Sequence, residues 1–253
     1  KDKVLEYYNE HGFPYEKYND NELISLYKKL KNKKPESVLV EGMTNVISNY
    51  GTCGIEICRH FCYNKFWKAA SDSKRSIEDA FNDKELFESI VKNRMGWCLS
   101  NEGKEENNGN PRPYLFSITD KEIRKGIRNS GLGYGVSNFR PLIAKFIYSK
   151  YLSNITDYRP VIFDYSAGWG ARLLGAMSLD YDYIGVDPLT SDNVRNMYVF
   201  YKDKYKLTTS NASIYNACSE DNNLYDDLYD SDIKVDMCFS SPPYFTLEVY
   251  DKT

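Results

Sequence analysis

Apolar and polar positions alternate along this chain in two distinct regimes. In the first half they follow the helical period. Val4, Leu5, Tyr7 and Tyr8 make a short stripe that breaks at His11-Gly12-Phe13-Pro14, where Gly and Pro end a helix. Asn19 or Asp20 is placed to cap a second helix, with Leu23, Ile24, Tyr27 and Leu30 on one face. Residues 38–70 are mixed and rich in aromatics. A third stripe, Ile77, Ala80, Phe81, Leu86, Ile90 and Val91, predicts one helix over 76–94. Residues 101–113 are polar, carry Gly and Pro, and predict a surface loop.

After Val136 the pattern changes. Arg140-Pro141 opens a helix whose buried side is expected to be Leu142, Ile143, Phe146, Ile147 and Tyr151. Proline suits that start, because the N–H it lacks has no partner in the first turn. Short apolar runs then alternate with helical stretches. The runs are 161–164, 183–186, a weaker 212–217, and 235–239; a helix is expected at 172–178 and further helices between the later runs. Such alternation predicts βαβ units and a parallel sheet. The expected fold is α/β, with a Rossmann-like sheet over 136–253 and a mostly helical region over 1–135.

Composition narrows the picture only slightly. A net charge of −3 over 253 residues excludes a uniformly basic surface. It still leaves room for local phosphate-binding stripes. Two are present: Lys28, Lys29, Lys31, Lys33 and Lys34, and then Lys121, Arg124, Lys125 and Arg128. Residues 1–135 are thereby a candidate DNA-docking module, with solvated helix faces as the plainer reading. Six cysteines are too few for a disulfide scaffold. Cys53, Cys58 and Cys62 surround His60, but a zinc site would need a second tight pair elsewhere. A half-buried helix face, and no metal, is expected. No apolar run reaches the ~20 residues that span a bilayer, and no signal peptide opens the chain. A cytoplasmic protein without membrane contact is expected.

Candidate chemistry sits at the ends of the strands. Asp164-Tyr165-Ser166-Ala167-Gly168-Trp169-Gly170 joins the first strand to a helix, and Asp187 ends the next strand. Glycines let the backbone turn tightly and approach a ligand, and an acid at the second position suits ribose hydroxyls. A dinucleotide fingerprint needs a third close glycine, but position 173 is Leu. A Walker loop needs Gly-Lys-Ser/Thr, which is absent. S-adenosylmethionine carries no phosphate and tolerates Asp164 beside the turn, so it fits this pattern better. The last strand runs into Ser240-Ser241-Pro242-Pro243-Tyr244-Phe245. There a serine oxygen and the Pro242 carbonyl can accept the two N–H groups of a nucleobase amine, while Tyr244 offers a stacking surface for a flipped base.

Ser241-Pro242-Pro243-Tyr244 resembles the (Asp/Asn/Ser)-Pro-Pro-(Tyr/Phe) motif of DNA amino-methyltransferases. The segment 164–170 resembles their Asp-Pro-Phe-x-Gly-x-Gly cofactor motif, with Tyr165 and Ser166 replacing Pro and Phe. Val136-Ser137-Asn138-Phe139-Arg140-Pro141 is similar to the extra cofactor motif of the family, which implies Phe139 beside the methionine part. Ser219-Glu220-Asp221 falls where family members contact the adenine ring. Gly12-Phe13-Pro14-Tyr15 resembles, more loosely, phage and mobile-element methylases.

The resemblance implies a class I methyltransferase sheet. It implies Ser241, Pro242, Pro243 and Tyr244 as catalytic residues. Phe139, Asp164, Ser166, Gly168, Gly170, Asp187, Glu220 and Asp221 are the implied S-adenosylmethionine contacts. DNA is the expected partner. N4 of cytosine is favoured over N6 of adenine, because Ser is the commoner first residue among N4-cytosine enzymes. RNA or protein glutamine as substrate, and a non-catalytic cofactor- or DNA-binding subunit, are the alternatives. The chain does not open on Met and stops nine residues after Tyr244, short of the seven strands usual in the family. A fragment, or a subunit completed by a protein partner, is therefore expected.

Overall fold

The computed structural model describes residues 2–43, 46–48, 51–71, 73–99, 119–131, 133–230 and 233–242. By their contacts these fall into two compact units, one of residues 2–16 and 63–136, the other of residues 17–62 and 137–242. The loop expected at 101–113 lies outside the described residues.

The second unit is α/β. Its strands are β1 (Val161–Asp164), β2 (Asp182–Val186), β3 (Ala212–Tyr215) and β4 (Met237–Cys238). They form one all-parallel sheet in the order β3-β2-β1-β4. The chain steps outward from β1 to β2 to β3. It then returns through the helix Asn222–Asp230 to lay β4 on the other side of β1. That reversal makes the gap between the carboxyl ends of β1 and β4 the place where open α/β sheets bind ligands. β4 is shorter than the expected 235–239, and Val235 is exposed. Backbone bonds from Asp236 N to Val161 O and from Phe239 N to Phe163 O, both 2.9 Å, continue its alignment with β1.

Helices Pro141–Leu152 and Ala171–Met177 cross closely beside the sheet. Their approach requires Gly175. A Cβ there would lie 2.7 Å from Ala144 Cβ and 2.9 Å from Lys145 N. The helix Pro141–Leu152 also packs against the short 3₁₀ segment Pro35–Val38. Two neighbours widen its buried face beyond the expected stripe, so Tyr148 and Lys145 are buried while Tyr151 is 64% exposed.

Residues 17–62, expected with the helical amino-terminal region, pack instead in the sheet unit. Helix Asp20–Asn32 starts with a reciprocal cap in which Asn19 accepts from Glu22 N (3.0 Å) and Glu22 accepts from Asn19 N (2.8 Å). Tyr27 stacks on Tyr201 at 4.4 Å, and their hydroxyls donate to Met177 O and Leu23 O. Lys145 closes the other end of this helix. Its ammonium donates to Leu30 O (3.0 Å), Lys31 O (2.7 Å) and Lys33 O (2.9 Å). Carbonyls of a last helical turn have no partner within the helix, and an ammonium has three donors to offer them. Of the first lysine stripe, Lys31 is held by Asp180 (2.9 Å), while Lys28, Lys29, Lys33 and Lys34 are exposed.

The first unit is helical: Asp2–His11, Tyr63–Phe66, Ile77–Asn82, Lys84–Leu99 and Asp120–Asn129. The single helix expected over 76–94 is two, because Asp83 leaves helical geometry and its carboxylate caps Leu86 N at 3.1 Å. Tyr8, Phe13, Phe66, Trp67, Phe81 and Phe87 are buried. Many of their ring pairs meet edge to face. Arg124, from the second basic stripe, donates to Pro14 O (2.5 Å) and lies over the Trp67 ring, whereas Lys121 and Lys125 are exposed. No described helix is long and apolar enough to cross a membrane.

Candidate ligand site at the strand switch point

The turn after β1 is held by its own peptide groups. Gly168 and Gly170 have φ of 54° and 77°, a region that L side chains rarely occupy. Gly170 is also hemmed in, since a Cβ would meet Met197 Cε at 2.4 Å. A Cβ on Gly168 would make only ordinary van der Waals contact among the described residues, nearest Ser166 O at 3.9 Å and Arg172 Nη2 at 4.0 Å. The Gly168 N–H donates to Asp187 Oδ2 (2.9 Å), and its carbonyl accepts from the Thr190 hydroxyl. The other Asp187 oxygen accepts from Leu189 N (2.9 Å) and Thr190 N (2.8 Å). Asp187, half-buried, thus ties the glycine turn to the loop after β2.

Asp164 lies deeper than the sequence suggests, being fully buried. Oδ2 accepts from Arg172 Nε (2.6 Å) and from the Tyr183 hydroxyl (2.5 Å). Oδ1 accepts from Ser240 Oγ (2.7 Å) and, more weakly, from Ser166 N (3.3 Å). Arg172 also donates to Ser166 O and sits 5.4 Å from the Phe139 ring. Burial is the largest single influence and lowers the Arg172 pKa, but Asp164, Tyr183 and Tyr148 together outweigh it, and the guanidinium is held above its ordinary value. Burial and the Asp164 carboxylate push the Tyr183 phenol well up, so it remains a donor.

Phe139 packs edge-on against Phe239 (5.7 Å), beside Arg172. Next to it, both polar atoms of the Asn138 side chain are buried without a hydrogen-bond partner among the described residues. The nearby Cys58 thiol is too weak an acceptor to satisfy an amide, and it points at Gly54 O (3.7 Å). Buried amide atoms without a partner are groups that a bound polar ligand could satisfy.

Glu220 and Asp221 are exposed. Asp221 starts the helix Asn222–Asp230 by accepting from Asn223 N (3.0 Å), and Glu220 approaches only Ser219 Oγ (3.4 Å). Ser241 is half-buried and its hydroxyl has no hydrogen bond among the described residues; Pro242 is exposed. Pro243 and Tyr244 lie outside the described residues.

The cysteine cluster belongs to the helix Ile55–Phe61 and its end. Cys58 and Cys62 are buried one turn apart, and burial pushes the Cys58 thiol up to about 12. His60 Nδ1 accepts from Tyr18 N (3.0 Å). No group of three or more metal-binding side chains is gathered among the described residues.

Arg172, Tyr183, Ser240 and Asn138 are site residues that the sequence reading did not single out. Arg172 left a signal, as the one charge in the otherwise apolar helix Ala171–Met177. Comparisons with protein-family models, with curated proteins and with solved structures found no match to this chain.

Proposed function

We propose that this chain is an S-adenosylmethionine-dependent methyltransferase acting on an exocyclic amine of DNA, with a class I methyltransferase sheet. One observation carries the reading. The end of β1, where the glycine turn starts, and the residues 240–242 after β4 adjoin at the strand switch point, joined through Asp164 and Ser240. A cofactor motif and an amine-clamp motif have to adjoin for methyl transfer, and their separation in sequence does not require it.

The residues present suit the cofactor. Gly168 puts no side chain between its backbone and a ligand, Asp187 can accept from a ribose hydroxyl beyond the N–H groups it already holds, and Asn138 has two polar atoms to satisfy. Glu220 is exposed, so it can reach an adenine amine. Arg172 links Asp164 to the Ser166 carbonyl and so holds the turn that would carry the cofactor. When bound, S-adenosylmethionine supplies an electrophilic methyl group.

Nucleobase amines are poor nucleophiles, because the nitrogen lone pair is delocalised into the ring. Ser241 Oγ and the Pro242 carbonyl are the two acceptors for the amine N–H groups. Accepting both favours a pyramidal nitrogen with its lone pair directed at the methyl. That polarity accelerates transfer to the extent that it is stronger in the transition state. Pro242 and Pro243 carry no N–H and fix φ, so the segment keeps its carbonyl in place. The family resemblance implies Tyr244 as the stacking surface for a flipped base. Incubating the full-length protein with methyl-labelled S-adenosylmethionine and duplex DNA is expected to yield N4-methylcytosine by nucleoside mass spectrometry. N6-methyladenine would change the target base and keep the reaction. Label found only in RNA or protein would overturn DNA as the substrate, and no transfer to any of them would overturn the activity.

A further inference from the structure

We infer that Ser240 is a positioning residue that sets the register of the reactive segment against the cofactor turn through the buried Asp164. This rests on the proposed methyltransferase reading. The first support is geometric. Ser240 Oγ donates to Asp164 Oδ1 at 2.7 Å, across the gap between β4 and β1. Among the described residues the backbone pairing with β1 runs over 236–239, and Ser240 is the next residue outward. Its side-chain bond extends the grip by one residue after the ladder ends.

A second support is the rigidity of the acceptor. Asp164 is fully buried, and its other oxygen is fixed by Arg172 and Tyr183. Arg172 holds the Ser166 carbonyl in the same turn. A displacement of Ser240 would therefore be resisted by a charge pair that cannot easily move, since removing either partner leaves a buried charge. The two serines divide the work. Ser240 is spent on the scaffold, and Ser241, whose hydroxyl has no bond among the described residues, remains available to a substrate. An amine held by Ser241 and Pro242 would reach the cofactor only if this segment stays in place. A shift of about 1 Å at a reacting centre can cost about 100-fold in rate.

The test compares Ser240→Ala and Ser240→Thr with the wild-type full chain. Hydrogen exchange, cofactor affinity and single-turnover methyl transfer to DNA are measured for each. Ser240→Ala is expected to speed amide exchange at 239–241 while residues 161–164 stay protected. Cofactor affinity should stay within about twofold, and the transfer rate should fall about 10- to 100-fold. Ser240→Thr, which keeps the hydroxyl, should recover most of the rate and the protection. Unchanged exchange in Ser240→Ala would overturn the inference. So would faster exchange with an unchanged rate, or a loss that Ser240→Thr fails to restore. A wild-type protein that transfers no methyl group would instead sink the methyltransferase reading. The exchange data would still decide whether Ser240 anchors the segment.

Discussion

His60 accepts a hydrogen bond from Tyr18 N at its Nδ1, which requires a neutral ring at that nitrogen. Burial lowers its pKa from the ordinary value of 6.5; nearby Lys17 acts in the same direction and Asp20 opposes. The folded state then binds fewer protons than the unfolded one. The stabilisation is complete above the unfolded value near 6.5 and is lost as pH falls from there through the lower folded value. Denaturant midpoints are expected to drop between pH 7.5 and 5.5. His60→Asn, which retains an acceptor and cannot be protonated, should show a smaller drop; an equal drop would assign the effect to other groups. Residue types at strand ends were legible in the same physical sense. Asp164, Gly168, Gly170 and Asp187 all fall at the turns beside the switch point. Depth was not legible. A carboxylate after an apolar run looks the same in sequence whether it faces a ligand or a buried arginine, and only the fold brings Arg172, Tyr183 and Ser240 to Asp164.

Among the elements, the helix Asp20–Asn32 shows why a periodic stripe gives less than a location. Leu23, Tyr27 and Leu30 are buried as the period predicts, and Asn19 is the cap. What the stripe packs against depends on partners more than 100 positions away, Lys145, Met177 and Tyr201. Lys145→Met should be costly, because three carbonyls of the last turn would lose their donor in a buried place. A loss of about 2–4 kcal/mol is expected from chemical denaturation. Lys28→Met, on an exposed position of the same helix, should change stability by less than about 0.5 kcal/mol. Equal effects from the two would mean that Lys145 does not close the helix. The break at Asp83 was hidden for a related reason. Both halves share one apolar stripe, and the cap at Leu86 N is a matter of local geometry that the stripe does not encode.

At the scale of the whole molecule, alternating strands and helices announced a parallel sheet, and the described residues form four parallel strands. Strand order was not announced, since it depends on which way each crossover turns. The return from β3 to β4 beside β1 brings residues 164–170 and 240–242 together, and the central claim depends on that juncture. The most direct test is hydrogen exchange of the full-length protein with and without S-adenosylmethionine. A ligand at ten times its Kd should slow exchange about tenfold where binding must be lost before opening. Slowing is expected in residues 166–170 and 187–190, which line the turn after β1 and the loop after β2. Unchanged exchange in both segments at millimolar cofactor, or protection confined to other parts of the chain, would contradict the account.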